Sequence, residues 1–304
     1  TAWYKLDQSA NWDVSGSGYW DVPDASGNGN SGISSGMTSA NLVLTDLTRN
    51  LPYDSYSFNF DSASSHYIQT NVDLAYTTFP NISLACWVKM NKSDLSNFTI
   101  YYPVGVFTNL FPNGSPIRIY SQAASSGGSS VILVQGSTTA QTSTDLADGN
   151  WHHIVQTCQY DSSGTICNVY VDGTKEIDNH SLVSYAPLSG NLFIGSKDST
   201  SNFFEGKLSN ISVFNELLTS TEVMKLYANG MPQDLSTFTP APVAWYPLGS
   251  NSFWNGSQWT VRDMSTGGSN DGTGVNLGQD ALVGDTPRSE ANGVATNQSI
   301  PENL

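Results

Sequence analysis

The sequence predicts an all-β fold made of two packed antiparallel sheets. Apolar residues make up 38% of the 304 residues and aromatic residues 11%, which is enough material for a sizeable core. Short segments with alternating apolar and polar residues recur along the chain, and clusters of Gly, Asn, Asp and Ser separate them at short intervals. This spacing is typical of a sandwich or barrel built from hairpins.

The clearest strand signal lies in residues 81–89. Ile82, Leu84, Cys86 and Val88 alternate with the residues between them, so they would share one face of a strand. Further strands are predicted in residues 130–135, 151–158 and 167–171.

One short helix is predicted in residues 219–230. The segment begins with Ser and Thr residues, has Glu222 in its first turn and ends in Asn-Gly, which are the usual signals of a helix start and stop. Val223, Leu226 and Tyr227 would form one apolar stripe.

The charge balance excludes two classes of partner. The chain has 26 Asp and Glu residues against 11 Lys and Arg, a formal net charge of −15, whereas nucleic acids and anionic membranes need clustered cations. No segment approaches the ~20 apolar residues of a membrane-spanning helix. The composition, rich in Ser, Thr, Asn and Gly and poor in Lys, favours an extracellular location on a virion or a cell surface.

The three cysteines predict one disulfide. If residues 161–164 form a hairpin loop, Cys158 lies directly opposite Cys167, and non-hydrogen-bonded positions of this kind are close enough for a bridge. The alternative is two reduced thiols in a small core patch. Cys86 would remain a buried free thiol. A bridge would indicate an oxidising compartment.

An internal repeat sets the predicted domain organisation. The segment 2–6, Ala-Trp-Tyr-Lys-Leu, and the turn that begins at Asp24 recur 242 and 239 residues later, at 244–248 and from Asp263. The second copy holds only the opening of the first. We therefore expect a sandwich over residues 1–236, followed at 237–304 by a Pro-rich linker and a truncated second repeat that serves assembly or interaction.

Several landmarks occur in the order found in one superfamily. The chain resembles the laminin-G-like members of the concanavalin-A-like lectin superfamily, of the type found in phage virion and bacterial surface proteins. This resemblance implies a jelly-roll sandwich of two antiparallel sheets. The residues that carry it are 24–30, 58–61, 67–68, 82–89, 149–155, 169–173, 193–195 and 204–213, followed by the helix that begins near residue 219.

The same resemblance implies a calcium site at the rim of the sheets. Asp61 matches the aspartate of an early Phe-Asp segment, Glu205 lies in a loop near the rim, and Asp198 would be their neighbour. Ca²⁺ prefers carboxylate and carbonyl oxygens from flexible loops. The chain departs from the pattern at Ser62, where relatives have Gly. The alternative is that these carboxylates only stabilise turns.

Catalysis is not predicted. Glucanases of the superfamily use Glu-x-Asp-x-x-Glu on one strand; here Glu176 and Asp178 are followed by Ser181 in place of the second Glu. His152 and His153 would point to opposite faces of a strand, so at most one of them could line a site. We therefore expect a protein that is not an enzyme.

Two functions remain. The first is a structural, decoration or adhesion protein of a virion or cell surface that binds other subunits or forms a homo-oligomer or array; residues 243–304 hold strands without their partners, and unpaired edges must be covered. The alternative is a Ca²⁺-dependent carbohydrate-binding module that attaches to glycans. Four tryptophans of the type exposed in such sites favour it, namely Trp12, Trp20, Trp254 and Trp259.

Overall fold

The computed structural model describes most of the chain and separates it into two compact units, residues 1–50 and 51–304. The described residues are 2–4, 10–15, 18–39, 54–75, 79–106, 117–121, 129–135, 138–161, 164–182, 190–228 and 230–287.

The described elements are twenty strands, one α-helix and three short 3₁₀ turns. The strands are β1 Asn11–Asp13, β2 Tyr19–Val22, β3 Gly32–Ile33, β4 Ser57–Phe60, β5 Tyr67–Asp73, β6 Asn81–Asn91, β7 Ile100–Val106, β8 Ile117–Ser121, β9 Ser129–Gln135, β10 Thr138–Gln141, β11 Asp148–Asp161, β12 Gly164–Val171, β13 Thr174–Leu182, β14 Asn191–Ile194, β15 Gly206–Phe214, β16 Ala244–Tyr246, β17 Phe253–Trp254, β18 Trp259–Val261, β19 Gly272–Val275 and β20 Leu282–Val283. The α-helix is α1, Ser220–Tyr227, and the 3₁₀ turns are Lys92–Asp94, Leu235–Thr237 and Gln279–Ala281.

The second unit is the predicted sandwich of antiparallel sheets. One sheet has nine strands in the order β10-β9-β8-β7-β14-β5-β19-β18-β17. The other has eight strands in the order β13-β12-β11-β6-β15-β4-β20, and β16 also pairs with β15. The core lies between them because inward positions of both sheets are apolar, among them Ile68, Leu84, Val88, Ile154 and Ile194.

Helix α1 covers part of the outer face of the eight-stranded sheet. Val223 and Leu226 pack there on Ala85 and Val155 in a second apolar cluster. The helix starts with a capping box in which Thr219 accepts a hydrogen bond from the Glu222 backbone, as the sequence signals predict. Within the part of the chain that is described, no helix is long and apolar enough to cross a membrane.

Strands β11 and β12 have the predicted register. Cys158 lies opposite Cys167, with their Cα atoms 4.3 Å apart, and their sulfur atoms are bonded. Cys86 is a buried free thiol, and desolvation raises its pKa far above the usual range.

The C-terminal part of the chain is organised differently from the prediction. No boundary between compact units falls at residue 236; residues 51–304 form one unit and the boundary follows residue 50. Strand β16 pairs with β15, β19 with β5 and β20 with β4. The segment predicted to hold strands without partners therefore finds them in the sandwich, because the sheets offer edges that its own short strands can extend.

Asp285 fastens the end of this segment to the eight-stranded sheet. Its carboxylate accepts hydrogen bonds from Lys89 Nζ at 3.0 Å, Lys207 Nζ at 2.5 Å and Trp151 Nε1 at 3.0 Å. The three donors lie on neighbouring strands, since Lys89 pairs with both Trp151 and Lys207. Burial raises the pKa of Asp285, but the hydrogen bonds from Lys207, Trp151 and Lys89 outweigh it and leave the pKa below its usual value.

We expect Asp285→Asn to destabilise the second unit by about 1–3 kcal/mol at neutral pH, the usual range for lost hydrogen bonds to charged groups. A carboxylate with a lowered pKa stabilises the fold above its unfolded pKa of about 3.9, and the contribution is lost as pH falls through the folded pKa. Urea unfolding of both chains at pH 7 and at pH 3 tests this. The difference should shrink at the lower pH, whereas Asp280→Asn, at an exposed position, should change little. A pH-independent difference would contradict the assignment.

Candidate functional site

The outer face of the nine-stranded sheet is exposed where β5 crosses it. In β5, Gln69, Asn71 and Asp73 are exposed, while Ile68 and Val72 point into the core. This alternation follows from the two-residue period of a strand and places polar side chains on the outside.

A continuous row of side chains crosses this face. Gln69 pairs with Phe193 on one side and with Thr273 on the other; Thr273 pairs with Thr260, and Thr260 with Phe253. Paired residues project from the same face, and neighbouring strands lie ~4.8 Å apart, so the row spans roughly 19 Å. We call these five residues the row.

The row has an aromatic group at each end and hydrogen-bonding groups between them. Phe253 is 58% exposed at one end. At the other end the ring of Tyr67 lies 5.9 Å from that of Phe193 and 6.1 Å from that of Phe203. The amide of Gln69 and the hydroxyls of the two threonines can each donate and accept hydrogen bonds.

A loop limits the row beyond Phe193. The residue opposite Phe193 on β7 is Gly105, where an added Cβ would lie 2.0 Å from the carbonyl oxygen of Ser196. A larger side chain at this position would displace the loop that follows β14. The glycine thus allows that loop to lie against the sheet beside the aromatic end of the row.

Asp61 and Glu205, two of the predicted calcium ligands, lie at the same rim. Gly206 pairs with Phe60, which places the adjacent residues close together, and Glu205 Oε2 accepts bonds from the backbone N–H and the hydroxyl of Ser62 at 2.9 and 2.6 Å. Asp61 accepts bonds within its own turn, and the one from Ser64 lowers its pKa.

Asp198, the third predicted ligand, stabilises the loop that borders the row. Its carboxylate accepts bonds from Thr200 N–H at 2.8 Å and from the hydroxyls of Thr200 and Ser201. Burial raises its pKa, but these bonds reverse the effect and lower it. Among the residues described, no three His, Cys, Asp or Glu side chains converge as a metal site, so Asp61, Asp198 and Glu205 do not form the expected cluster.

The sequence matches a family model described as the concanavalin A-like lectin/glucanases superfamily over residues 61–224, more than half of the chain. The chain belongs to this superfamily. The match agrees with the resemblance stated from the sequence motifs and with the antiparallel sandwich. A comparison with curated protein sequences gives no significant match.

One solved structure supports the fold at low identity, and others are similar to the chain to a lesser degree. A proposed carbohydrate-binding protein from Bacteroides ovatus is 16% identical, with a TM-score of 0.50, over 90% of this chain and 70% of that protein. A heptameric SAP-like pentraxin from Limulus polyphemus is 14% identical, with a TM-score of 0.43, over 75% of this chain and 97% of that protein. A Trypanosoma rangeli sialidase is 18% identical, with a TM-score of 0.38, over 50% of this chain and 23% of that protein. At 16% identity the likeness to the first of these proteins concerns the fold alone.

The four tryptophans predicted to form a binding surface of this lectin-like fold are not exposed. Trp20 and Trp259 are buried, and Trp12 and Trp254 are half-buried. Each half-buried ring packs on a buried one across a strand pair, at 5.4 Å and 5.5 Å. On β17 the exposed aromatic ring is that of Phe253, which is next to Trp254 and on the opposite face of the strand. The alternation of faces along this strand could have indicated that Phe253 is exposed and Trp254 is not.

The carboxylates tested against the glucanase pattern have structural partners. The Glu176 carboxylate accepts bonds from the backbone and hydroxyl groups of Ser143 and Thr144. Asp178 binds Lys175 at 2.8 Å. Both groups lie on β13, the edge strand of the eight-stranded sheet, and not on the face that carries the row.

His152 and His153 point to opposite faces, as predicted, and their environments differ. His152 lies between Asp172, 2.7 Å from Nδ1, and Asp148, 3.1 Å from Nε2. Burial lowers the pKa of His152, but the two carboxylates outweigh this and raise it. His153 is packed against Trp87 at 4.8 Å, and desolvation lowers its pKa to about 4.

These environments predict that the loss of folding stability caused by His152→Gln and that caused by His153→Gln change in opposite directions with pH. A raised pKa means that His152 contributes stability below its unfolded pKa of about 6.5 and loses it as pH rises through the folded pKa. The cost of His152→Gln, about 1–3 kcal/mol at pH 5.5, should therefore fall by pH 9. The pKa of His153 is lowered, so the cost of His153→Gln should rise over the same interval. Denaturant unfolding at both pH values tests this, and parallel trends would refute it.

Proposed function

We propose that the chain is a carbohydrate-binding module and that the row binds the glycan. The observation that carries this proposal is the row itself: an amide and two hydroxyls placed side by side on an exposed sheet face, with an exposed phenyl ring at one end. Membership of a superfamily of lectins and glucanases supports it at the level of the fold.

The chemistry of the row suits a sugar with no ionised group. Aromatic rings pack on the apolar C–H face of a pyranose, and amides and hydroxyls exchange hydrogen bonds with its hydroxyls. No charged side chain belongs to the row. A row of roughly 19 Å can contact more than one sugar ring, and the exposed ring of Phe253 leaves room for a chain to extend beyond that end.

An assembly role is not favoured by the observation that first motivated it. The expectation rested on C-terminal strands without partners, and these strands pair within the sandwich. Attachment of a virion or a cell surface to glycans is the setting we propose for the module, in an extracellular compartment and without catalysis. Calcium dependence is a separate proposal, since the carboxylates of Asp61 and Asp198 are held by their own loops and that of Glu205 by Ser62.

Glycan-array binding of the purified chain tests the module. We expect binding to oligosaccharides that Phe253→Ala and Gln69→Ala each weaken about tenfold, because one loses the stacking surface and the other the central hydrogen-bonding group. A tenfold loss corresponds to about 1.4 kcal/mol. Phe98→Ala, at another phenylalanine that is 67% exposed, is the matched control and should leave binding unchanged.

Two further arms separate the parts of the proposal. If calcium holds the sugar, a chelator weakens glycan binding, and so does Asp61→Asn. Glycan binding that neither treatment changes would contradict a role for calcium but would not contradict the assignment of the row. An assay for released reducing ends should show no hydrolysis of a bound oligosaccharide. Glycan binding that neither Phe253→Ala nor Gln69→Ala weakens would contradict the assignment of the row as the binding site.

A further inference from the structure

The two copies of the sequence repeat fold into the same hydrogen-bonded unit. In the first copy, Asp24 Oδ1 accepts the backbone N–H groups of Trp3 at 3.0 Å and Ser26 at 2.8 Å. Asp24 Oδ2 accepts the side-chain amide of Asn30 at 3.4 Å, and the hydroxyl of Tyr4 donates to the Asn30 carbonyl. We call residues 2–39 the N-terminal module.

The second copy repeats this network bond by bond. Asp263 Oδ1 accepts the backbone N–H groups of Trp245 at 3.0 Å and Ser265 at 3.1 Å. Asp263 Oδ2 accepts the side-chain amide of Asn270 at 3.4 Å, and the hydroxyl of Tyr246 donates to the Asn270 carbonyl at 2.6 Å. We call residues 243–283 the C-terminal module.

The hairpins of the two modules also correspond. Trp12 pairs with Trp20 as Trp254 pairs with Trp259. The indole N–H of Trp20 donates to a backbone carbonyl 18 residues later, at 2.9 Å, and that of Trp259 to one 19 residues later, at 2.7 Å. The repeat is therefore a conserved three-dimensional unit within this chain and not a chance likeness of two short motifs.

The C-terminal module fills a defined place in the sandwich, which we call the slot. The slot is made by residues 211–213 of β15, 67–69 of β5 and 57–58 of β4, which pair with β16, β19 and β20. In the slot, Trp245 is 1% and Tyr246 0% exposed, and Trp259 stacks edge-on against Phe58 at 5.0 Å.

The N-terminal module keeps the same docking residues but exposes them. Trp3 and Tyr4, which correspond to Trp245 and Tyr246, are 58% and 41% exposed. Ile33, on the strand that corresponds to β19, is 71% exposed, and Met37, at the position of the buried Leu277, is 51% exposed. A module that leaves its apolar docking residues exposed is a ready partner for a sheet of matching shape.

We propose that the N-terminal module docks into the slot of a second copy of this chain. The described part of each chain carries two modules of one design and a single slot. A docked N-terminal module replaces the contacts of β16 and β19 with contacts of the same kind, made by residues 2–4 and by β3. Exchange of an equivalent element between protomers is a low-cost route to oligomers, and protein concentration drives it.

Cysteine trapping in the full-length chain tests this docking. Val213 lies directly opposite Ala244, where paired Cβ atoms are about 4.5–5.5 Å apart, and Ala2 corresponds to Ala244. The test variant combines Val213→Cys with Ala2→Cys. After incubation in a glutathione redox buffer at rising protein concentration, peptide mapping identifies which cysteines are linked, and non-reducing electrophoresis gives the size of the product.

Docking to a second copy predicts covalent dimers and larger species that contain the 2–213 linkage and increase with concentration. Val213→Cys with Ala244→Cys should give only the monomeric linkage to the C-terminal module, and Val213→Cys with Ser26→Cys should give no linkage between these positions. Trp245→Ala, added to the test variant, should increase the 2–213 linkage severalfold because the resident module is weakened, whereas Trp3→Ala should decrease it.

Two results would overturn the proposal. A 2–213 linkage confined to monomers at every concentration would assign the module to its own chain. An absence of this linkage, even in the Trp245→Ala background, would show that the slot does not accept the N-terminal module. Circular dichroism of each variant before oxidation establishes that the compared chains are folded.

Discussion

The pairing of the C-terminal module with β15, β5 and β4 is the constraint on which the rest of the structure depends. Without it, the core between the two sheets would lose Tyr246, Trp259 and Val261, and the edges of three strands would lack partners. Asp285 adds polar contacts to two lysines and a tryptophan directly after the last paired strand. The final part of the chain is thus a component of the fold.

The same pairing creates the row, and this connects the fold to the proposed function. Thr273, Thr260 and Phe253 come from the C-terminal module, while Gln69 and Phe193 come from the sandwich. A slot that held the N-terminal module would present a different surface. Asn11, Asp21 and Ile33 occupy the corresponding strand positions, so an aspartate and an isoleucine would replace the two threonines. Occupancy of the slot would then determine which ligand the face can recognise.

Local features of the fold could be predicted from the sequence because their signals are local. The hairpin predicted from the sequence has the register that places Cys158 opposite Cys167, and the capping residues Thr219 and Glu222 fix the start of helix α1. The repeat was also visible, since the Asp-centred turn and the Ala-Trp-Tyr segment are specific in sequence.

The slot could not be predicted, because it depends on pairing between β5 and β19, about 200 residues apart, and no local pattern encodes that choice. The two modules have nearly the same motif, so the sequence does not distinguish which one completes the sandwich. The row was missed for a related reason: its members come from five strands, which lie in three separate parts of the sequence. For the acidic loop residues the sequence leaves two interpretations open, because turn-stabilising and ion-binding aspartates look alike in a sequence; in the structure Asp61 and Asp198 stabilise their own turns.

Hydrogen–deuterium exchange of the full-length chain tests the central claim most directly. If the C-terminal module completes the sandwich, peptides covering 244–248 and 259–277 should be protected as long as the core strand 81–91, and peptides covering 2–4 much less. Exchange of the C-terminal peptides within seconds, with protection of residues 2–4 in their place, would contradict this account of the fold and of the row built on it.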